Sequence, residues 1–174
     1  MRWVVNTSIL FGDLPLERRP QAAREAGFTA VESWWPFASA TPADREVDDF
    51  VRWVEDAGVR LVALNFPAGA MADCERGLVS LPGREAEWRD AVAATVGIGE
   101  RLGVRLFNAL YGNRTGGVAP AAQDALAIEN LALDLVRHLR RLEEVLYGGW
   151  VALEHRPGGG DPFAWLPWER RAAE

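Results

Sequence analysis

The chain has 174 residues, of which 49% are hydrophobic and 25% are charged, so we expect one domain with a sizeable buried core. Its formal net charge of −6 and the lack of any Lys/Arg block weigh against a nucleic acid or an anionic membrane as partner, since both require clustered positive charge. The single cysteine, Cys74, excludes a disulfide framework and a cysteine-based metal site, and it favours a reducing cytoplasm.

The N-terminal stretch MRWVVNTSILFGD does not have the pattern of a signal peptide. It contains one basic residue, and its apolar run is broken by Asn6, Thr7 and Ser8. No apolar run further along approaches the roughly 20 residues that a membrane-spanning helix needs. We therefore expect a soluble, cytoplasmic protein without a membrane partner.

Short apolar runs alternate along the chain with longer segments of helical period, a pattern typical of βα units and a parallel sheet. The five predicted strands are RWVVN ending at Asn6, TAVE ending at Glu32, RLVALN ending at Asn65, RLFNAL containing Asn108, and WVALE ending at Glu154. The segments between them predict helices over 15–26, 43–57, 84–102 and about 120–146. The alternation predicts a single α/β domain spanning residues 1–174.

Three glycines mark the ends of predicted helices. Gly27, Gly58 and Gly103 each follow a helical segment and precede a strand, in the related stretches AREAGFTAV, VEDAGVRLV and GERLGVRLF. The residue just past a helix end often has a positive φ, which glycine adopts without steric penalty. The repetition indicates an array of βα units.

Polar side chains recur where the predicted strands end. Asn6, Glu32, Asn65 and Glu154 each terminate an apolar strand, and Asn108 lies close to the end of another. Parallel βα folds bind their ligands at that edge of the sheet. Any one of these residues could merely begin a loop, but their recurrence at equivalent places favours a lined pocket.

Several stretches carry a family resemblance. They are NTSILF, GFTAVESWWPF, LNFPAGAMADCERGLVSLPGREAEWRD, IENL and GGWVALEHRP. The chain resembles the hydroxypyruvate isomerase family, within the xylose isomerase-like TIM barrels, and residues 64–90 are the most specific part of the match. The resemblance implies an aldose-ketose isomerase that interconverts hydroxypyruvate and tartronate semialdehyde, or a related oxo-acid, through an enediol.

The chain departs from the family in its length. A complete barrel has eight strands in about 250 residues, whereas five strands are predicted here. We therefore expect an incomplete TIM-type barrel of about five parallel strands with outer helices. About three βα units are lacking, and the resemblance locates the junction near residues 136–142.

The resemblance also assigns roles. Glu154 resembles the acid/base glutamate of the family's last strand, while Asn6, Glu32, Asn65, Asn108 and the loop residue Arg76 are expected to bind substrate. The second catalytic glutamate, and most ligands for a divalent Mg²⁺ or Mn²⁺ ion, belong to strands that this chain lacks. No cofactor is therefore assigned and the metal site stays unknown. Glu32 is a possible but disfavoured substitute for the missing glutamate.

Two further arginines, Arg84 and Arg156, could also bind a substrate carboxylate, although a solvated arginine is the default expectation. Five parallel strands cannot close a barrel, so the open sheet edge and inner face predict a homo-oligomer.

The alternative function is a catalytically silent half-barrel that serves as a binding or scaffold protein. An epimerase or a DNA-repair endonuclease of the same superfamily is a third option. The acidic charge weighs against the endonuclease, and the ERG…LPGREAE run weighs against both.

Overall fold

The computed structural model describes residues 3–73 and 75–132, and the backbone of residues 150–154. It contains five strands, namely β1 (Val5–Asn6), β2 (Ala30–Ser33), β3 (Arg60–Asn65), β4 (Leu106–Leu110) and β5 (Trp150–Glu154). It also contains five α-helices, namely α1 (Thr7–Leu10), α2 (Arg19–Glu25), α3 (Asp44–Asp56), α4 (Glu85–Leu102) and α5 (Pro120–Asn130).

The strands form one sheet in the order β1-β2-β3-β4-β5, and every pairing is parallel. The expected incomplete TIM-type barrel with five parallel strands is therefore confirmed, and β5 lies directly beside β4. The register shifts between β2 and β3, because Val31 pairs with Leu61 while Glu32 pairs with Ala63. This irregularity leaves Val62 as an extra residue on β3. The proposed junction near residues 136–142 lies outside the described residues.

The helices pack apolar residues against one side of the sheet. In α3, Phe50, Val51 and Val54 are buried, which is the spacing of one helical face. In α4, Trp88 is fully buried and its ring lies 5.2 Å from that of Phe66. These contacts form a core between the sheet and α3 and α4.

The predicted helix ends agree closely with the structure. Gly27, Gly58 and Gly103 have φ values of 90°, 64° and 64°, as expected for residues that follow a helix. The helix predicted over 15–26 is divided into a 3₁₀ turn, Leu16–Arg18, and α2. The predicted helix 120–146 is described as α5 up to Asn130, and its part beyond residue 132 lies outside the described residues.

Two short elements were not predicted from the sequence, α1 and the 3₁₀ turn Met71–Asp73. We call the edge where the parallel strands end the carboxyl edge. There α1 follows β1 directly, and the 3₁₀ turn lies in the loop after β3. A helix this short lacks the periodic pattern from which longer helices are predicted. Within the described part of the chain, none of the helices has the length and apolar character required to cross a bilayer.

Candidate active site at the carboxyl edge of the sheet

The ends of β1 and β2 bring together two of the predicted site residues. Asn6 and Glu32 are register partners, and the Asn6 Nδ2 donates a hydrogen bond of 2.9 Å to the Glu32 Oε1. Both side chains are half-buried. The backbone oxygen of Glu32 accepts a further hydrogen bond from the Thr7 hydroxyl at 3.1 Å. The first two strands therefore present one amide-carboxylate pair at the carboxyl edge.

The Asn6 amide is held in one orientation by α1. Its Oδ1 accepts hydrogen bonds from the backbone N–H groups of Ser8 and Ile9, at 2.9 Å and 3.0 Å, as a helix N-cap does. Because the Asn6 Oδ1 accepts these two hydrogen bonds, the NH₂ group of the amide is the end that faces Glu32. The N-cap of α1 thus fixes one oxygen of the Glu32 carboxylate.

The ends of β3 and β4 place a second pair of predicted residues side by side. Asn65 and Asn108 are register partners on neighbouring strands, and both are half-buried. The Asn108 Oδ1 is itself buried and has no hydrogen-bond partner among the described residues. A buried acceptor left without a donor costs about 1–3 kcal/mol, so this oxygen favours a ligand that donates a hydrogen bond to it.

The backbone of Glu154 lies at the same edge. It pairs with Leu110, two residues beyond Asn108 along β4, and Ala152 pairs with Asn108. The register therefore brings all five strand-end residues to the carboxyl edge. The side chain of Glu154 lies outside the described part of the chain.

Two of the arginines predicted as possible substrate ligands, Arg76 and Arg84, lie in the loop after β3. Arg76 is exposed, and its guanidinium donates to the backbone oxygens of Glu75 and Met71, at 2.6 Å and 3.2 Å. Arg84 is not the solvated arginine that the sequence predicts by default. It contacts Glu75 with one nitrogen at 2.7–2.8 Å and Glu87 with two nitrogens at 2.6 Å.

The Arg84 guanidinium therefore donates its hydrogen bonds to the carboxylates of Glu75 and Glu87. The Arg84 guanidinium, with the Ala70 N–H, in turn holds the pKa of Glu75 below its ordinary value. Arg84 therefore links the loop to the start of α4 through its ion pairs with Glu75 and Glu87, an arrangement that we call the Arg84 clasp. Arg76 remains the candidate for binding the substrate carboxylate. Arg156 lies outside the described residues.

This loop is fastened to the end of β4 by groups that were not predicted from the sequence. Gly77 forms an isolated antiparallel β-bridge with Tyr111, and the Ser80 backbone N–H donates to the Tyr111 backbone oxygen at 2.9 Å. The buried Gln123 side chain donates to the Ser80 Oγ at 2.9 Å, and the buried Asn130 donates to the Val79 oxygen at 2.8 Å. These contacts fix the loop as one wall of the carboxyl edge.

A sequence signal for this fastening exists in α5. Gln123, Ala127 and Asn130 are spaced as residues of one helix face, and all three are buried. Two amides on an otherwise apolar face indicate side chains that hydrogen-bond inside the fold. The same region holds Tyr111, whose pKa is raised to about 12 by burial and by its hydrogen bond to Asp124.

No three His, Cys, Asp or Glu side chains among the described residues are placed to hold a metal ion. The described strand ends offer one carboxylate, Glu32, together with the amides of Asn6, Asn65 and Asn108. Mg²⁺ is usually held by one or two carboxylates together with water, and the described side chains at the strand ends supply one such ligand, Glu32.

The parallel βα array with polar strand ends defines the class of the protein. Residues 20–134 match the family described as xylose isomerase-like TIM barrel, and the chain belongs to that family. It is 52% identical over 134 residues to a Streptomyces coelicolor protein named "Putative hydroxypyruvate isomerase". It is 32% identical over 131 residues to the hydroxypyruvate isomerase of Escherichia coli. The predicted resemblance is confirmed.

The coverage of these matches is unequal. The two alignments take in 76% and 75% of this chain but 48% of each relative, so the chain spans about half the length of the curated relatives it matches.

A solved structure titled AP endonuclease, family 2, from Brucella melitensis has 29% identity and a TM-score of 0.69, covering 87% of this chain and 54% of that one. A D-psicose 3-epimerase structure, at 13% identity and a TM-score of 0.56 over 88% of this chain and 52% of that one, shares the fold.

Proposed function

We propose that this chain carries the site of an aldose-ketose isomerase that converts hydroxypyruvate to tartronate semialdehyde, or acts on a related small oxo-acid. The observation that carries the proposal is the row of polar strand-end residues at the carboxyl edge, with the Asn6–Glu32 pair at one end and Glu154 at the other. The 52% identity to a protein with that isomerase name supports the choice of substrate class.

The proposed reaction moves two protons and leaves the overall oxidation state unchanged. A base removes a proton from the hydroxyl-bearing carbon beside the ketone, and the C–H electron pair forms a C=C double bond. The π pair of the ketone moves to its oxygen, which takes up a proton, and this gives the enediol. Protonation of the former carbonyl carbon, with loss of the proton on the other oxygen, then gives the aldehyde. Carboxylates are suited to such transfers, and Glu154 is the proposed acid/base residue.

The other strand-end residues are proposed to hold the substrate. The amides of Asn6 and Asn65 supply donors for carbonyl or carboxylate oxygens, and the Asn108 Oδ1 supplies a buried acceptor for a substrate hydroxyl. Glu32, with one oxygen already fixed by Asn6, accepts from the second hydroxyl, which forms in the enediol. Arg76 is the proposed partner of the substrate carboxylate. No step of this proposal passes through a metal ion.

The second candidate is a catalytically silent half-barrel that binds ligands or acts as a scaffold. The described strand ends favour it, because Glu32 is the one described side chain there that could act as a second carboxylate in the proton transfers. Loss of one proton-transfer group lowers the rate by about 10²–10⁴-fold.

The proposed partners are small oxo-acids and a further copy of the same chain. Pairing among the described strands runs from β1 to β5 without joining β5 to β1, so each outer strand has one pairing partner among the described residues, and we propose that these edges pair with another copy. The net charge of −6 weighs against nucleic acid as a partner. A cytoplasmic location is part of the proposal.

The test is isomerisation of hydroxypyruvate by the purified chain, with and without Mg²⁺ or Mn²⁺, alongside light scattering of the same sample. We expect turnover by an oligomer, and a loss of about 10²-fold or more in Glu154→Gln. The control Glu17→Gln changes an exposed glutamate in the 3₁₀ turn before α2 and should leave the rate unchanged. No turnover by a well-folded sample would favour the silent half-barrel, and full activity in Glu154→Gln would refute the role of Glu154.

A further inference from the structure

A cavity of about 630 Å³ lies at the opposite end of the sheet from the candidate site. We call this end, where the strands begin, the amino edge. The cavity is lined by residues around the starts of β1, β3 and β4 and the end of α4, including Trp3, Val4, Arg60, Val62, Leu102 and Arg105. Its volume is within the usual range of about 300–1,000 Å³ for small-molecule sites.

The cavity is positively charged, although the chain as a whole is acidic. Arg60 and Arg105 are exposed, and neither guanidinium group makes a hydrogen bond or an ion pair with a described residue. By contrast, the guanidinium groups of Arg84 and Arg101 are ion-paired. None of the described residues that line the cavity is acidic.

The carbonyl groups at the end of α4, near Leu102, add roughly half a negative charge. That partial charge is smaller than the two full positive charges of the arginines. The balance therefore favours an anionic ligand.

The rest of the lining is apolar and includes an exposed aromatic side chain. Trp3 is 72% exposed and Val4 is 43% exposed, and Leu102 and Val62 continue the same wall. An exposed tryptophan that lines the same cavity as two arginines provides an apolar surface for the body of a ligand whose charged end the arginines bind.

We propose that the cavity at the amino edge binds an organic carboxylate with an apolar or aromatic body. The two guanidinium groups bind the carboxylate through charge-assisted hydrogen bonds, and Trp3, Val4 and Val62 cover the apolar part. This site is separate from the candidate active site and does not depend on the proposed isomerase activity.

The experiment is calorimetric titration of the purified full chain with naphthoate, compared with the uncharged naphthamide of the same shape. We expect naphthoate to bind and naphthamide to bind at least about tenfold more weakly, because a hydrogen bond to a charged group is worth a tenfold or larger change in affinity. The double change Arg60→Gln with Arg105→Gln should weaken naphthoate at least about tenfold. The control Arg45→Gln changes an exposed arginine on α3 and should leave binding unchanged.

Trp3→Ala should weaken naphthoate and naphthamide alike, since it removes apolar surface and leaves both arginines in place. Equal binding of the two probes, or unchanged binding in the double variant, would overturn the proposal. Full displacement of naphthoate by an equal concentration of inorganic phosphate would indicate a simple anion site and would also overturn it. Absence of binding by the folded chain would likewise overturn the proposal.

Discussion

Two corners of the carboxyl edge use polar side chains in different ways. At the β1–β2 corner, Asn6 and Glu32 are half-buried and hydrogen-bond to each other. At the β3–β4 corner, Ser80, Gln123 and Asn130 are at most 5% exposed and fasten the loop after β3 to its neighbours. The first corner keeps polar atoms within reach of a ligand, whereas the second uses them as internal scaffold.

The difference teaches that a polar residue near a strand end does not by itself indicate a role in catalysis or ligand binding. At the β3–β4 corner the buried amides contact the oxygens of Ser80, Asn113 and Val79, so their hydrogen-bonding capacity is used inside the fold. The Asn108 Oδ1 is the exception at that corner, since it is buried without a partner among the described residues. The β3–β4 corner thus positions one acceptor that has no partner among the described residues.

The largest expected effect comes from breaking the rigid corner at Gly77. This residue has a φ of 131°, and a Cβ placed on it would lie 2.0 Å from the Leu110 oxygen. Gly77→Ala therefore forces apart the loop and β4, and we expect a loss of about 3 kcal/mol or more in the free energy of unfolding, measured by urea denaturation.

The matched control for that change is Gly97→Ala. A Cβ at Gly97, inside α4, meets nothing within 4 Å, so the alanine should stabilise the helix by about 0.5–1 kcal/mol. If the two glycine variants proved equally stable, the close contact between the loop and β4 could not be what holds this corner.

The next largest effect is expected at the open corner, from Asn6. Asn6→Ala removes the cap of α1 and the hydrogen bond to Glu32, which should lower the free energy of unfolding by about 1 kcal/mol. Asn6→Asp keeps an acceptor for the Ser8 and Ile9 N–H groups but cannot donate to Glu32. It places a second carboxylate beside the first, so two negative charges repel each other at this corner.

Isomerase activity and thermal unfolding, measured together, separate these two functions of Asn6. If Asn6 positions Glu32 for the substrate, Asn6→Asp should keep α1 capped while its KM for hydroxypyruvate rises and its pH profile shifts. Repulsion between the two carboxylates should keep its stability at neutral pH below that of wild type. Identical pH profiles for wild type and Asn6→Asp would mean that the Asn6–Glu32 contact has no part in substrate binding.

The fold could be predicted from the sequence because its signals are local and repeated. The alternation of apolar and helical segments gives the five parallel strands, and the glycines after α2, α3 and α4 mark the helix ends within one or two residues. Strand order also follows, since right-handed crossovers place successive parallel strands side by side.

The candidate site could be predicted only in part. The sequence predicts that four polar residues share one edge of the sheet, namely Asn6, Glu32, Asn65 and Asn108. The hydrogen bond between Asn6 and Glu32, however, depends on α1, a four-residue helix with no periodic signal.

The Arg84 clasp illustrates the same limit. Its partners Glu75 and Glu87 are close in sequence, yet the choice between solvent and ion pair depends on how the loop after β3 turns back toward α4. Long-range contacts such as that between Asn130 and Val79 are fixed by packing and leave little local signal.

The smallest expected effect concerns that clasp and its pH dependence. Because Arg84 and the Ala70 N–H lower the pKa of Glu75, the clasp stabilises the fold above the ordinary carboxyl pKa of 4.5 and loses this contribution as the pH falls through the lowered value. Glu75→Gln should therefore reduce the free energy of unfolding at neutral pH by a few tenths to about 1 kcal/mol, since the pair is partly exposed.

In acid the difference between wild type and Glu75→Gln should shrink, because the wild-type carboxylate is then also neutral. Urea denaturation of both proteins at neutral and acidic pH measures this, and Glu55→Gln, an exposed change on α3, should show no such convergence. A gap between wild type and Glu75→Gln that stayed constant with pH would mean that the glutamine weakens packing instead of the ion pair. The β3–β4 corner would then be held by its buried amides and by Gly77 without an electrostatic contribution from the clasp.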